Sequence, residues 1–264
     1  MQGEGANWAV GRVALVTGAT SGFGAALARR MLAAGGRVIA TGRRLDRLQQ
    51  LERDAAASGS GARLFIAAMD VRDEASVAAA LAGLPAEFQP IDVLFNGAGL
   101  ALGLGKAHEA SWSDWETMIA TNVTGLARVT RAVLPGMVKR NRGDVINMGS
   151  VAASYPYPGG NAYGATKAFV RQFSMNLRAD LLGTAVRVTA VEPGMCETEF
   201  SLVRFGGDKA AADKVYAGMR PLSAEDVVDV VESVLRLPAH INVNAVEVMP
   251  VQQAFGPFAV DRRA

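Results

Sequence analysis

The 264-residue sequence contains a single cysteine and only two histidines. The single cysteine, Cys196, excludes a disulfide within the chain, which is typical of a reducing compartment, and we therefore expect a cytoplasmic protein. His108 and His240 do not stand in a metal-ligand pattern with cysteines or carboxylates, so we expect no structural or catalytic metal. Cys196 lacks a nearby histidine, which favours an inert thiol over a nucleophile.

The sequence also lacks a long apolar run and a strong excess of either charge. Its first ten residues, MQGEGANWAV, have neither a basic start nor an apolar core and do not predict a signal peptide. No stretch is apolar for the length that crosses a bilayer. The 27 Lys and Arg residues nearly balance 25 Asp and Glu residues, and the arginines are scattered. We therefore expect a small-molecule substrate, with no nucleic-acid partner and no membrane association.

Short β-branched runs alternate with longer Ala- and Leu-rich stretches from end to end. The runs are Val13–Val16, Arg37–Ala40, Arg63–Ala68, Ile91–Phe95, Asp144–Met148, Val186–Val191 and Ala245–Met249. The helical stretches are Gly24–Ala34, Leu45–Ala57, Glu74–Leu84, Asp114–Lys139, Ala162–Leu182 and Ala224–Leu237. This alternation predicts a single α/β domain over residues 1–264, of Rossmann type. We expect a doubly wound parallel sheet of about seven strands with helices on both faces.

Residues 195–221, called the 195–221 segment below, interrupt this alternation with mixed polarity and with Gly206, Gly207 and Gly218. Ligands of open α/β sheets bind beyond the carboxyl ends of the strands, where this segment begins. A substrate lid is therefore one interpretation. A variable surface loop is the other.

The first strand runs into TGATSGFG, which places Gly18, Gly22 and Gly24 in the turn that opens the first helix. Glycine lets the backbone turn tightly and approach a pyrophosphate, to which the helix N-terminus offers free N–H groups. The motif follows a strand and begins a βαβ unit, so it favours a dinucleotide site over a purely structural turn. Three neighbours are assigned to the same site: Thr20, Ser21 and Phe23.

The second strand, RVIATGRR, indicates which dinucleotide binds. An NAD site usually carries an acidic residue here to hold the ribose 2′-hydroxyl. This sequence has Thr41 and Gly42 instead, followed by Arg43 and Arg44, whose guanidiniums suit a 2′-phosphate. A solvated arginine pair at the start of a helix is the alternative. Because the acidic residue is also absent, we favour NADP.

Two later turns complete the predicted cofactor site. Asp70 and Val71 follow the third strand, where they would meet the adenine end, although Asp70 could equally cap the next helix. After the fourth strand comes a small-residue turn, through which the cofactor backbone could pass: Asn96, Gly97, Ala98 and Gly99.

Tyr163 and Lys167 stand four residues apart in NAYGATKAF, with Ser150 upstream. On a helix, positions i and i+4 share a face. A fixed cation beside a phenol favours the phenolate and lowers its pKa from about 10. Ser150 could then hydrogen-bond a substrate oxygen while Tyr163 exchanges its proton. An exposed helix pair with an ordinary surface lysine is the alternative.

Together these motifs resemble the short-chain dehydrogenase/reductase family across essentially the whole chain. The resemblance rests on TGATSGFG, NGAG at 96–99, TNVTG, Ser150, Tyr163/Lys167, and EPG at 192–194 with Thr198. It implies a tetrad of Asn122, Ser150, Tyr163 and Lys167, with Tyr163 as general acid/base. Lys167 would hold the nicotinamide ribose and Asn122 a proton-relay water; Pro193, Gly194 and Thr198 would line the nicotinamide pocket. Gly97 departs from the family's Asn-Asn-Ala-Gly turn, which puts a local hydrogen bond in doubt.

Longer stretches, including GRRLDRLQQL, EPG…TEFSLVRF and LPAHINVNAVEVMPVQQ, resemble NADP-dependent 3-hydroxy acid dehydrogenases. This implies NADP, a homotetramer, and substrates of the serine, L-allo-threonine and 3-hydroxypropionate type. Cys196 and Glu197 replace a more glycine-rich start of the lid in these relatives, so substrate preference could differ.

Our main hypothesis is reversible oxidation of a small 3-hydroxy acid by NADP, with Arg204 holding the substrate carboxylate. A surface role for Arg204 is the alternative. A carbonyl reductase for larger neutral ketones or a biosynthetic aldehyde also fits the apolar residues Met195, Phe200, Val203 and Phe205. A catalytically silent NADP-binding module would be expected to lack Tyr163 or Lys167, and both are present.

Overall fold

The computed structural model describes residues 7–256, and within them seven strands form one parallel sheet. The strands are β1 Val13–Thr17, β2 Arg37–Gly42, β3 Leu64–Ala68, β4 Val93–Asn96, β5 Gly143–Met148, β6 Val186–Pro193 and β7 Ala245–Val248. Their spatial order is β3-β2-β1-β4-β5-β6-β7. Strands β1, β4 and β5 are buried along their whole length, as expected for strands covered by helices on both faces.

Helices cover both faces of this sheet. Residues 7–256 contain α1 Gly22–Ala33, α2 Leu45–Ala57, α3 Glu74–Ala82, α4 Trp112–Ile119, α5 Leu126–Lys139, α6 Asn161–Asp180, α7 Glu199–Arg204, α8 Lys209–Lys214 and α9 Ala224–Leu235. Side chains of α1, α2 and α9 form one buried cluster, and those of α3, α5 and α6 form another on the opposite face. The predicted single α/β fold is confirmed. Over the same residues, no helix combines the length and apolar character needed to cross a bilayer.

The strand order reverses between β1 and β4. Thr17, the last residue of β1, lies opposite Thr41 of β2 on one side and Asn96 of β4 on the other. The helix after β1 packs on one face of the sheet, whereas α5, which follows β4, packs on the other. This divergence opens a crevice at the carboxyl edge of the sheet, where nucleotides bind in folds of this type.

The stretch predicted as one helix, Asp114–Lys139, is interrupted. A π-helical turn, Ala120–Gly125, separates α4 from α5. Within it, the Asn122 amide donates to the Leu100 carbonyl at 2.8 Å and to Thr166 Oγ1 at 3.1 Å, and it accepts from the Leu100 N–H at 2.9 Å. The prediction of a continuous helix is wrong. The wider turn accompanies an Asn122 side chain held by partners on two other segments, and π turns often occur at functional sites.

The 195–221 segment contains two short helices, α7 and α8, joined through Gly206 and Gly207. Both glycines have positive φ, at 61° and 95°. The Gly103 N–H donates to the Arg204 carbonyl at 3.1 Å, which attaches the end of α7 to the loop after β4. The segment therefore lies across the carboxyl edge of the sheet.

Candidate active site

A cleft of about 770 Å³ lies along the carboxyl edge of the sheet. Most residues predicted for the site line it: Gly18, Thr20, Ser21, Gly22, Phe23, Gly24, Arg43, Arg44, Asp70, Val71, Ala98, Gly99, Ser150, Tyr163, Lys167, Pro193, Gly194, Thr198 and Arg204. Asn96 and Asn122 are buried behind its wall instead. The glycine-rich turn, the two arginines and the Tyr163–Lys167 pair thus share one continuous cavity.

The turn after β1 requires glycine at its first and last glycine positions. Gly18 has a φ of 71°, and a Cβ there would lie 2.9 Å from the Ala98 nitrogen. A Cβ on Gly24 would lie 2.4 Å from the Gly18 carbonyl oxygen. A side chain at either position would force this close-packed backbone apart.

This turn leads directly into the N-terminus of α1. Ser21 occupies the N-cap position, yet within the described residues its side chain makes no capping hydrogen bond. The first turn of α1 also carries no acidic residue. The N–H groups and the positive end of the helix dipole therefore remain available to an anion.

The end of β2 provides a cationic wall. Arg43 is exposed on the cleft. Arg44 donates from Nε and Nη2 to Thr20 Oγ1, at 3.3 and 3.1 Å, and from Nη1 to the Glu199 carboxylate at 2.8 Å. Arg44 is therefore oriented across the glycine-rich turn. Sequence reasoning missed Glu199, because the residue lies 155 positions away in the chain.

Asp70 lines the cleft after β3 and is paired with a neighbour. Arg72 Nη2 donates to Asp70 Oδ2 at 2.6 Å, and this interaction holds the pKa of the Asp70 carboxyl below its ordinary value. Asp70 does not cap the following helix. Asp73 does so, accepting from the Ala75 N–H at 2.9 Å. The capping alternative for Asp70 is wrong, because α3 begins at Glu74, four residues later.

The turn after β4 is held by Thr17, which sequence reasoning did not single out. Thr17 Oγ1 accepts from the N–H groups of both Gly97 and Ala98 at 3.1 Å. The Asn96 amide points away from the cleft and donates to Thr130 and Asn147, at 2.9 and 2.8 Å. Asn96 therefore supports the turn from within the sheet.

The departure from the family turn at Gly97 has a local cause. A Cβ on Gly97 would lie 2.4 Å from the Phe95 ring and 2.8 Å from the Thr17 carbonyl oxygen. The Phe95 ring thus fills the space that a side chain at position 97 would occupy. The hydrogen bonds to Thr17 hold this turn without an amide at that position.

Helix α6 places Tyr163 and Lys167 one turn apart, and both side chains are buried. Lys167 Nζ donates to the Met148 carbonyl at 2.8 Å, at the end of β5. The Ser150 hydroxyl accepts from the Ala152 N–H at 3.1 Å and lies 3.5 Å from the Pro193 carbonyl. A Cβ on Gly99 would meet Asn122 Oδ1 at 3.3 Å and Lys167 Nζ at 3.6 Å. The four predicted tetrad residues therefore converge at one end of the cleft.

The electrostatics of this pair differ from the sequence-based expectation. Burial raises the pKa of Tyr163 to about 12, whereas a hydrogen bond from Ser150 and the charge of Arg204 act to lower it. Burial also lowers the pKa of Lys167 to about 8. The expectation that Lys167 lowers the phenol pKa below 10 is wrong. Desolvation dominates here, and Arg204 is the cation that acts against it.

The 195–221 segment covers Tyr163. The Arg204 guanidinium lies 5.5 Å from the centroid of the Tyr163 ring, and its Nη2 donates to the Tyr157 hydroxyl at 2.6 Å. The Phe200 ring is 5.5 Å from the Tyr163 ring. Sequence reasoning missed Tyr157, since a tyrosine in a proline-rich turn carries no distinctive spacing.

The last described residues also return to the cleft. Gln253 Oε1 accepts from the Met195 N–H at 2.7 Å, and a Cβ on Gly194 would lie 2.3 Å from this oxygen. Gln253 therefore fixes the turn where the 195–221 segment begins. Cys196 in that turn is buried, and burial raises its thiol pKa to about 12, as befits an unreactive cysteine. Within residues 7–256, no three His, Cys, Asp or Glu side chains come together as a metal site.

Comparison with known proteins identifies the family. The sequence profile of the family described as short chain dehydrogenase matches residues 12–204. The chain is 57% identical over 251 residues to the NADP-dependent 3-hydroxy acid dehydrogenase of Salmonella typhi, covering 95% of this chain and 99% of that protein. It is 51% identical over 250 residues to the serine 3-dehydrogenase of Rhizobium radiobacter, covering 95% and 98%.

A solved structure agrees with these sequence relationships. The closed form of a serine dehydrogenase complexed with NADP+ superposes with a TM-score of 0.92 and 56% identity, covering 95% of this chain and all of that one (100%). The chain belongs to the short chain dehydrogenase family and is an oxidoreductase. The family resemblance predicted from the sequence motifs is confirmed.

Proposed function

We propose that this protein is an NADP-dependent oxidoreductase that interconverts small 3-hydroxy acids, of the serine, L-allo-threonine and 3-hydroxypropionate type, with their carbonyl forms. The observation that carries the proposal is the Arg204 guanidinium, 5.5 Å from the ring of the buried Tyr163. A cation at this position can hold a carboxylate while the phenol meets a hydroxyl on the same small molecule. The relatives named for 3-hydroxy acids and serine support this substrate class.

The cleft suits NADP at three points. The glycine-rich turn and the uncapped start of α1 can receive the pyrophosphate. Arg43 and Arg44 can hold the 2′-phosphate, because guanidiniums bind phosphate oxygens in pairs. Pro193, Gly194 and Thr198 also line the cleft, and the Pro193 carbonyl lies 3.5 Å from the Ser150 hydroxyl, so the nicotinamide would lie along this stretch. Bound there, NADP supplies the acceptor or donor of a hydride.

Proton transfer falls to Tyr163. With a pKa raised to about 12, its phenol is protonated at neutral pH and can donate to a carbonyl oxygen during reduction. In the oxidation direction Tyr163 must first ionise; its phenolate oxygen then takes the hydroxyl proton, and the charge of Arg204 favours the phenolate. Ser150 would hydrogen-bond the same substrate oxygen and position it. Asn122 would act indirectly, since its amide is committed to Leu100 and Thr166.

Tyr157 and Arg204 would bind the substrate carboxylate together. The Tyr157 hydroxyl accepts a hydrogen bond from Arg204, which leaves its own proton to donate. Two donors, one of them charged, can therefore converge on a carboxylate beside Tyr163. Hydrogen bonds involving charged groups are the stronger kind.

A second candidate is a reductase for larger neutral ketones or a biosynthetic aldehyde. Four apolar residues of the 195–221 segment line the cleft and favour this second candidate: Met195, Phe200, Val203 and Phe205.

We further propose a cytoplasmic homotetramer. Exposed apolar side chains on α4 and on and just after α6 support association, with Trp112 64% and Leu182 80% exposed. Light scattering after gel filtration measures the subunit number.

An initial-rate screen with NADP and NAD side by side tests the proposal. Serine, L-allo-threonine and 3-hydroxypropionate should be oxidised with NADP more efficiently than propane-1,3-diol, which lacks the carboxylate. Arg204→Ala should raise KM for the acids by at least about tenfold, a loss of roughly 1.4 kcal/mol, and leave KM for the diol unchanged. Preference for neutral alcohols, or an unaltered KM for the acids, would favour the second candidate.

A further inference from the structure

The first residue of α7, Glu199, places a carboxylate at the predicted 2′-phosphate site. Its Oε2 accepts from Arg44 Nη1 at 2.8 Å, and its Oε1 lies 3.5 Å from Arg47 Nη2. Glu199 belongs to the 195–221 segment, whereas both arginines belong to the start of α2. One acidic side chain thus links the covering segment to the cationic end of the cleft.

This carboxylate and a 2′-phosphate would use the same donors. Arg44 already directs Nε and Nη2 to Thr20 and Nη1 to Glu199, so the charged side of its guanidinium that faces α7 is occupied. A phosphate that took a paired hydrogen bond from Arg44 would displace one of these partners. A phosphate beside Glu199 would also meet like charge. NAD, which has a hydroxyl at this position, would meet neither cost.

The first turn of helix α7 lies between the glycine-rich turn and Tyr163. Thr198, its N-cap, lies 3.7 Å from where a Cβ of Gly22 would be, at the glycine-rich turn. Phe200 packs 5.5 Å from the Tyr163 ring. Glu199 stands between these two residues. A change in its partner at Arg44 therefore acts on the same helical turn that covers the catalytic tyrosine.

We propose that Glu199 is a specificity-determining residue whose carboxylate competes with the 2′-phosphate of NADP for Arg44. It lowers the affinity for NADP, leaves the affinity for NAD nearly unchanged, and retains Arg47 as its partner when the phosphate takes Arg44. The inference rests on the proposed use of Arg44 for the 2′-phosphate. The Arg44 and Glu199 side chains are 41% and 34% exposed, so water and salt screen the interaction.

Calorimetric titration of the purified full-length protein with NADP and with NAD, at low ionic strength, tests this. Glu199→Gln should bind NADP about three- to tenfold more tightly, the effect expected for removing a partly screened like charge. Its Kd for NAD should stay within about twofold, and the gain should shrink as salt is added. Glu197→Gln is the matched control, because it removes the same charge two residues away at an exposed position.

Every other outcome contradicts either the role of Glu199 or the assignment of Arg44 to the 2′-phosphate. Weaker or unchanged NADP binding by Glu199→Gln, an equal gain for NAD, or an equal gain in Glu197→Gln would overturn the inference.

The Arg44→Ala variant separates the inference about Glu199 from the proposed cofactor site. If Arg44→Ala leaves NADP affinity unaltered, the 2′-phosphate assignment fails. If NADP affinity falls in Arg44→Ala yet Glu199→Gln changes nothing, only the role of Glu199 fails. In the double variant the gain from Glu199→Gln should largely disappear. Far-ultraviolet circular dichroism checks that each variant is folded.

Discussion

The Lys167 ammonium lies 5.7 Å from the centroid of the Tyr163 ring and donates its hydrogen bond to the Met148 carbonyl at 2.8 Å. Helical spacing brings the two side chains to one face, but Lys167 is anchored to the end of β5. Burial therefore acts on both groups: it raises the pKa of Tyr163 to about 12 and lowers that of Lys167 to about 8. Burial thus shifts the protonation equilibrium of both groups toward the neutral form.

The lowered pKa of Lys167 predicts a rise in stability between about pH 8 and pH 10. The folded-state pKa of about 8 lies below the ordinary value of 10.5, so over this interval the unfolded chain binds more protons than the folded one. The free energy of unfolding of the wild type, relative to that of Lys167→Met, should rise by up to about 3 kcal/mol.

Urea unfolding at several pH values measures this difference. The control is Lys106→Met, which removes an exposed lysine and should follow the wild type in parallel. Parallel curves for Lys167→Met and the wild type would contradict the assigned burial effect.

Tyr157→Phe should weaken binding of hydroxy acids with little change in kcat. The variant keeps the ring but loses the hydroxyl that faces Arg204 at 2.6 Å. One lost hydrogen bond to a charged group is worth about 1.5–3 kcal/mol, so KM for serine should rise about 10- to 100-fold. KM for neutral alcohols should not change. Tyr155→Phe is a suitable control, because Tyr155 also lines the cleft but donates to Glu247 instead. An equal effect in both variants would assign the loss to general repacking.

Gly97→Ala should destabilise the fold by about 1–3 kcal/mol, the range for overpacking a close-packed region. The added Cβ would lie 2.4 Å from the Phe95 ring and 2.8 Å from the Thr17 carbonyl oxygen. Gly105→Ala provides the comparison, since its Cβ would have no neighbour closer than 3.7 Å. Thermal unfolding of both variants checks the prediction. Equal melting temperatures for the two variants would contradict the prediction and show that the Phe95 ring moves aside without loss of stability.

The layered fold could be predicted from the sequence because continuous β-branched runs and apolar helical faces are local signals. The strands Arg37–Gly42 and Val186–Pro193 extend the predicted runs by two residues each, through small or polar residues with little apolar signal. The π-helical turn at Ala120–Gly125 could not be foreseen. It accompanies hydrogen bonds from Asn122 to Leu100 and Thr166, which are distant in the chain.

The residues of the candidate site likewise fall into two groups: those that local sequence motifs predict and those that only the fold brings together. The glycine-rich turn and the Tyr163–Lys167 pair are contiguous motifs, so their positions followed from helical and strand geometry. Tyr157 and Glu199 acquire their roles only through folding, because their partners Arg204 and Arg44 lie 47 and 155 residues away. The direction of the Tyr163 pKa shift also could not be predicted from the sequence, because burial rather than the nearest cation determines it.

Replacing Tyr163 with phenylalanine tests the proposed proton transfer by Tyr163 most directly. The variant keeps the ring packed against Phe200 and removes only the oxygen proposed to carry the proton. Turnover of 3-hydroxy acids with NADP should fall by about 100- to 10,000-fold, the usual contribution of a general acid/base, while the Kd for NADP stays within about twofold. A folded Tyr163→Phe protein that turns over its substrate at the wild-type rate would contradict the proposed chemistry.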